Sequence, residues 1–244
     1  MRVTVLGSGD AFNSGGRRHS AYLVESEGTT FLLDCGTTTL LALKTLGISP
    51  NRIDFAAISH LHGDHFAGLP FLFLEFQYES TRSRPFTILG PPGTESRVLT
   101  LFETMYRGIS KREHNFDIRF EELMPGKTTK FGKANILPFE VPHQEFDIAF
   151  GYRADVSGKT ILYSGDCGWN EALVHHSEGA DLFICECCYY ETRTSFHVSY
   201  PIIASERSRL RCKRLLLSHL GREVLERLDE VTIEYASDGM VLDI

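Results

Sequence analysis

The stretch Ile58–Pro70, ISHLHGDHFAGLP, decides how the rest of the chain is read. His60, His62, Asp64 and His65 fall within six positions, behind the apolar run FAAIS and ahead of a Gly-Leu-Pro turn. Imidazole is costly to bury without partners. Several imidazoles together repel one another once protonated. A shared metal ion removes both problems, so the remaining sequence should supply further ligands.

It does so where strands end. His60 closes FAAIS, His143 closes ILPFEVP, Asp166 closes TILYSG and His219 closes RLLLS. Active sites of layered αβ proteins gather at such strand ends. Together these positions supply five histidines (His60, His62, His65, His143, His219) and two aspartates (Asp64, Asp166). That set suffices for two divalent ions. Nitrogen and carboxylate ligands without thiolate suit zinc first, with manganese or iron(II) as alternatives. The spacing of H-x-H-x-D-H can turn His60 and His62 to one ion and Asp64 and His65 to a neighbour. Asp166, with two oxygens, can bridge. Gly63 is expected to permit close backbone approach in that loop.

SHLHGDHFAGLP resembles the H-x-H-x-D-H signature of the metallo-β-lactamase fold. LGSGDAFNSGGRRHSAYLV, LLDCG, the isolated His143, YSGDCG and LLLSHLG follow in that family's order. The resemblance implies an α/β (α+β layered) αββα sandwich with metals at one sheet edge. It places His60, His62 and His143 on one ion, Asp64, His65 and His219 on the other, and Asp166 between them. Within the superfamily the chain is most similar to the ribonuclease Z branch and its phosphodiesterase relatives. There a His-Glu-Ala-Thr stretch precedes a separate histidine. Glu186 and His197 match the glutamate and that histidine, whereas Cys185 and Cys187 replace the first and third residues.

Phosphodiester hydrolysis needs a donor near the leaving oxygen and a cation against developing charge. An imidazole held by a carboxylate supplies both. The expected catalytic residues are therefore Asp64, which orients or deprotonates a metal-activated water, and His197 oriented by Glu186. Asp34 in LLDCG is read either as an acceptor for a ligand histidine or as a turn cap. Arg17, Arg18 and His19 could contact a phosphate or form a solvated loop.

Composition narrows the substrate. The 244 residues carry a net charge of −7, which argues against a protein that coats nucleic acid. Ribonuclease Z proper has a long substrate arm between the third ligand region and the bridging aspartate. Here that interval reads as a hairpin through Ser157-Gly158-Lys159. The expectation is a hydrolase of small cyclic or linear, nucleotide-like phosphodiesters. A transfer RNA 3′ endoribonuclease is the alternative, and a lactonase or thioesterase would use the same metals on a carbonyl.

No apolar run approaches the ~20 residues of a membrane span, and the chain enters a strand at once with no presequence. A cytoplasmic location follows as the default, compatible with a homodimer. The six cysteines lack paired C-x-x-C spacing and read as small buried hydrophobes. Alternation would point Cys185 and Cys187 to one face of a strand and Glu186 and Cys188 to the other.

The rest reads as one domain over 1–244, in two pseudo-equivalent αβ halves of about 1–125 and 126–244. Helices are expected at TTTLLALKTLG, from Gly68 to about Tyr78, at TESRVLTLFETMY with a capping start at Thr94, at YPIIASERSRL and at EVLERLDE. EYASDGMVLDI reads as a last strand.

Overall fold

The computed structural model describes residues 1–109 and 112–244. The first sheet contains β1 (Arg2–Gly7), β2 (Ala21–Ser26), β3 (Thr29–Leu33), β4 (Phe55–Ala57), β5 (Phe86–Gly90) and β6 (Ile118–Glu122). The second contains β7 (Thr129–Phe131), β8 (Ala134–Val141), β9 (Ala149–Val156), β10 (Lys159–Tyr163), β11 (Leu182–Glu186) and β12 (Leu215–Ser218). The last strand, β13 (Val241–Asp243), returns to the first sheet and pairs antiparallel with β1. The orders are β13-β1-β2-β3-β4-β5-β6 and β12-β11-β10-β9-β8-β7.

Period-two alternation sorts side chains into three apolar layers. Val3, Val5, Tyr22, Phe31 and Phe55 meet Ile136, Phe150, Tyr152, Ile161 and Ile184 between the sheets. On the outer face of the first sheet, Leu23, Leu32, Ala56 and Ile88 pack on α1 (Thr39–Thr45), α3 (Leu69–Leu74) and α4 (Thr94–Met105); α2 (Gly63–Phe66) is a single turn at the sheet edge. On the outer face of the second, Leu162, Phe183, Cys185 and Leu217 pack on α5 (Glu171–Ser177), α6 (Tyr200–Glu206) and α7 (Arg222–Leu225). The result is the layered αββα sandwich of the metallo-β-lactamase fold.

Strand direction decides where the ligands go. β3, β4, β5 and β6 run parallel, and β1 reaches β3 through two antiparallel steps. β10, β11 and β12 are parallel, and β8 reaches β10 through two antiparallel steps. The loops that follow β1, β3 and β4, and those after β8, β10, β11 and β12, therefore each leave a parallel set at its carboxyl ends. These loops carry every candidate ligand.

Local expectations held with corrections. The helix after Gly68 starts with Pro70 in its first turn, as that position tolerates. It passes into a π-turn over Glu75–Glu79. Thr94 does not cap α4: Gly93 holds that position at φ 90°, and Thr94 Oγ1 donates to the Pro91 carbonyl. The Glu122 carboxylate instead accepts from the Gly93 and Glu95 N–H groups. Gly63 faces open space, contrary to expectation. Close approach is required at Gly36 and Gly68, where a Cβ would lie 2.3 Å from the Asp64 carbonyl oxygen and 2.1 Å from the Gly36 carbonyl oxygen. EVLERLDE contributes one turn to α7.

Candidate metal centre

The four candidate ligands of the HLHGDH loop meet the three strand-end candidates at one point. Imidazole centroids lie 4.6 Å apart for His60–His62, 4.5 Å for His60–His143, 4.8 Å for His62–His143 and 5.3 Å for His65–His219. His60, His62 and His143 converge as one group able to hold an ion. Asp64, His65, Asp166 and His219 converge as a second. Asp166 Oδ2 lies 3.2 Å from His65 Nε2 and from His219 Nε2, and 4.0 Å from His143 Nε2. It therefore stands between the two groups.

The imidazoles are oriented from behind. Asp34 is buried at φ 58°, left-handed for a residue with a side chain. Such backbone costs on the order of 1–3 kcal/mol and persists only where its surroundings hold it. Asp34 accepts from Ser59 N (2.6 Å), Ser59 Oγ (2.7 Å), Tyr163 Oη (2.5 Å) and His65 Nδ1 (2.7 Å). Of the two roles read for Asp34 from sequence, the structure therefore gives it that of acceptor for His65. His60 Nδ1 lies 3.0 Å from Ser59 Oγ, whose own proton goes to Asp34. His143 Nδ1 donates to the Phe196 carbonyl (2.9 Å). In all three, Nδ1–H is held and Nε2 is left facing the cluster.

That leaves three buried atoms that make no hydrogen bond among the described residues: His60 Nε2, His65 Nε2, which has carboxylate oxygens of Asp64 and Asp166 at 3.2 Å, and Asp166 Oδ1. Orphaned imidazole nitrogens beside an orphaned carboxylate oxygen are what a bound cation would satisfy. The nitrogen and oxygen donors fit a divalent transition metal or zinc.

Charge is distributed unevenly. Burial, reinforced by neighbouring His65, pushes His60 well below the usual histidine range. Burial lowers His143 to about 4 against the opposing pull of Asp166. Burial likewise opposes charge on His65, but Asp166, Asp64 and Asp34 outweigh it and raise its pKa well above normal. Burial would raise Asp64 and Asp166, yet the adjacent imidazoles, chiefly His65 for Asp64 and His219 for Asp166, hold both carboxylates far below the usual range.

Glu186 ends β11 and is buried. Its Oε1 lies 2.9 Å from His197 Nδ1 and also accepts from the Cys167 N–H, while Oε2 accepts from the Cys188 N–H. Burial opposes charge on His197, but the Glu186 carboxylate lifts it to about 9. His197, Asp64, Asp166 and His219 line one cleft of about 150 Å³.

Cys185 and Cys187 point into the outer core and Cys188 points to the site, as alternation predicts. All six cysteines are free and buried. Sequence reasoning did not pick out Cys188 as a site neighbour, although its place on the Glu186 side of the strand carried that signal. It also missed Tyr163, which no spacing links to Asp34. Arg17 is structural: its guanidinium donates to Ser8 Oγ and to the Ala236 carbonyl, both at 2.7 Å. No helix among the described residues is long and apolar enough to cross a membrane.

Comparison with known proteins agrees with this geometry. Residues 1–235 match the family described as anti-Pycsar protein Apyc1. A ribonuclease Z of Ignicoccus hospitalis is 27% identical, over 90% of this chain and 88% of its own length. An uncharacterized protein of Mycobacterium leprae is 31% identical, over 90% of this chain and 78% of its own. The chain spans only about half the length of some relatives, 47% for the ribonuclease Z of Methanothermobacter thermautotrophicus. The crystal structure of the short form of human tRNase Z superposes with a TM-score of 0.82 at 27% identity, covering 100% of this chain and 99% of that one. The chain belongs to the family described as anti-Pycsar protein Apyc1, within the ribonuclease Z-like, phosphodiesterase branch of the metallo-β-lactamase-fold hydrolases.

Proposed function

We propose that the chain is a dinuclear metal-dependent phosphodiesterase acting on small cyclic or linear, nucleotide-like diesters. The observation that carries this reading is His197, held from behind by Glu186, lining the same small cleft as His62, Asp64, Asp166 and His219 of the His/Asp cluster. His60, His62 and His143 would hold one ion, and Asp64, His65 and His219 the other, with Asp166 shared. Such ions, when bound, acidify water and offset charge on the non-bridging phosphate oxygens.

The chain's own groups supply the rest. Asp64 lies on the cleft wall, placed to orient the attacking water and take its proton. His197, held through Nδ1 by Glu186, keeps Nε2 for the departing alkoxide oxygen and carries the proton that it needs. Asp34 and the Phe196 carbonyl keep His65 and His143 in the tautomer that frees Nε2.

Two observations favour a small diester. The cleft is about 150 Å³. The interval between His143 and Asp166 holds β9 and β10, joined by a tight turn at Ser157 (φ 50°) and Gly158 (φ 75°), so no arm projects there. Two positive φ values suit the two-residue hairpin that follows strand twist. The relatives named ribonuclease Z favour a second reading, processing of RNA 3′ ends.

The test is hydrolysis of bis-p-nitrophenyl phosphate by zinc- or manganese-loaded protein, beside a 3′-extended transfer RNA and a panel of lactones. Metal-dependent release from the diester, with the RNA left intact, is expected. Turnover of lactones but not of the diester would transfer the site to carbonyl chemistry.

A further inference from the structure

The metal cleft has a neighbour. A second cavity of about 330 Å³ shares Asp10, Phe12, Cys188 and Tyr189 with it and continues to Gly221 and Glu223. Phe12 and Tyr189 therefore border both cavities. We propose that this second cavity is a nucleobase subsite, and that Phe12 and Tyr189 supply the aromatic surfaces against which the base of a nucleoside phosphodiester stacks.

Phe12 stands out on an exposed loop. It is 83% exposed, an unfavourable place for a phenyl ring, yet its loop is firmly tied. Asp10 Oδ1 accepts from the Phe12 and Ser14 N–H groups at 3.2 and 2.9 Å, and Asp10 Oδ2 from Ser14 Oγ at 2.8 Å. Asn13 Nδ2 donates to the Arg17 carbonyl at 2.9 Å. The backbone is thus fixed while the ring stays 83% exposed, uncovered by the described residues. A planar apolar ligand face would supply that cover.

Tyr189 is equally placed. Its backbone bridges to Ser199, and its ring lies 5.7 Å from the His197 ring at an interplanar angle of 84°. The cavity floor demands glycine at 221, where a Cβ would sit 2.1 Å from the Cys188 carbonyl oxygen. The acidic wall groups are already engaged, and Arg222 pairs through Nε with Glu226. Asp10 holds its own loop, and Glu223 Oε2 accepts from the N–H groups of Tyr190, Glu191 and Thr192. The surface that Phe12 and Tyr189 leave for a ligand is aromatic, which grips a base by its face.

The subsite rests on the diesterase reading only in placing the phosphate end over the His/Asp cluster. A binding measurement separates the two. Zinc-loaded protein would be titrated calorimetrically with adenosine 5′-monophosphate, uridine 5′-monophosphate and ribose 5-phosphate, which keeps the sugar and phosphate but lacks a base. Each nucleotide should bind about tenfold more tightly than ribose 5-phosphate. Phe12→Ala should abolish that advantage and leave ribose 5-phosphate binding within about twofold, whereas Phe12→Trp should preserve the advantage. Equal affinity for all three ligands in the wild type would overturn the subsite. So would a Phe12→Ala variant that weakens all three alike, or one that weakens none. Base-dependent binding without any diester turnover would leave the subsite standing and remove the proposed activity.

Discussion

Asp34 receives four hydrogen bonds, from Ser59 twice, Tyr163 and His65, and so ties β3, β4 and β10 to one candidate ligand imidazole. Replacing it with asparagine removes the charge that keeps His65 Nδ1 protonated. Asp34→Asn should weaken metal binding by about 10–100-fold, measured by competition with a chromogenic chelator; unchanged affinity would reduce Asp34 to a turn residue. His197 is tested by leaving group. His197→Ala should lower kcat by about 10²–10⁴-fold on diesters with alkoxide leaving groups, and far less on p-nitrophenyl esters, which need no proton. An equal loss on both would make His197 a phosphate contact. At this scale the sequence was legible where ligands crowd together. HLHGDH declares itself because imidazole and carboxylate recur within six positions. Tyr163 and Phe12 were not legible, because one acts across 129 positions and the other is a lone aromatic in a glycine-rich loop with no periodicity to single it out.

Single elements are held by partners far along the chain. Thr94 has the right chemistry for a helix cap, yet β6 brings Glu122 to that end and Thr94 turns back to Pro91. A sequence window cannot see such a competitor. Glu223 performs a similar task. From the start of α7 it gathers the N–H groups of residues 190–192, in the segment that leads to His197. Burial would raise its pKa, but the Thr192 hydroxyl and these N–H groups bring it down to about 2 from 4.5. A carboxylate depressed on folding stabilises the native state above its unfolded pKa, and that contribution fades as pH falls through the folded value. Glu223→Gln should therefore lower the urea midpoint most above about pH 5, and the gap from wild type should shrink steadily toward pH 2. A gap independent of pH would mean that the loop is held by packing alone.

The whole molecule is organised by one geometric fact: strands of both sheets deliver their carboxyl ends to a common edge. Apolar runs ending in His143, Asp166 and His219 made that edge legible, since strands buried between two layers read as apolar runs and their polar termini must gather somewhere. The return of β13 to the first sheet was less legible, because an antiparallel partner for β1 leaves no local mark. The same edge collects five imidazoles and two carboxylates, and among the described residues His60 Nε2, His65 Nε2 and Asp166 Oδ1 there make no hydrogen bond. Ions that bind only the folded chain must stabilise it. Loading should raise Tm by roughly 5–10 °C, reversed by a chelator.

The most direct test measures metal content and turnover on the same sample. Protein dialysed against zinc should hold two ions per chain by plasma mass spectrometry and release p-nitrophenol from bis-p-nitrophenyl phosphate. Chelated protein should hold none and release none. A chain that holds two ions and leaves the diester intact, or one whose rate survives removal of the metal, would contradict the account.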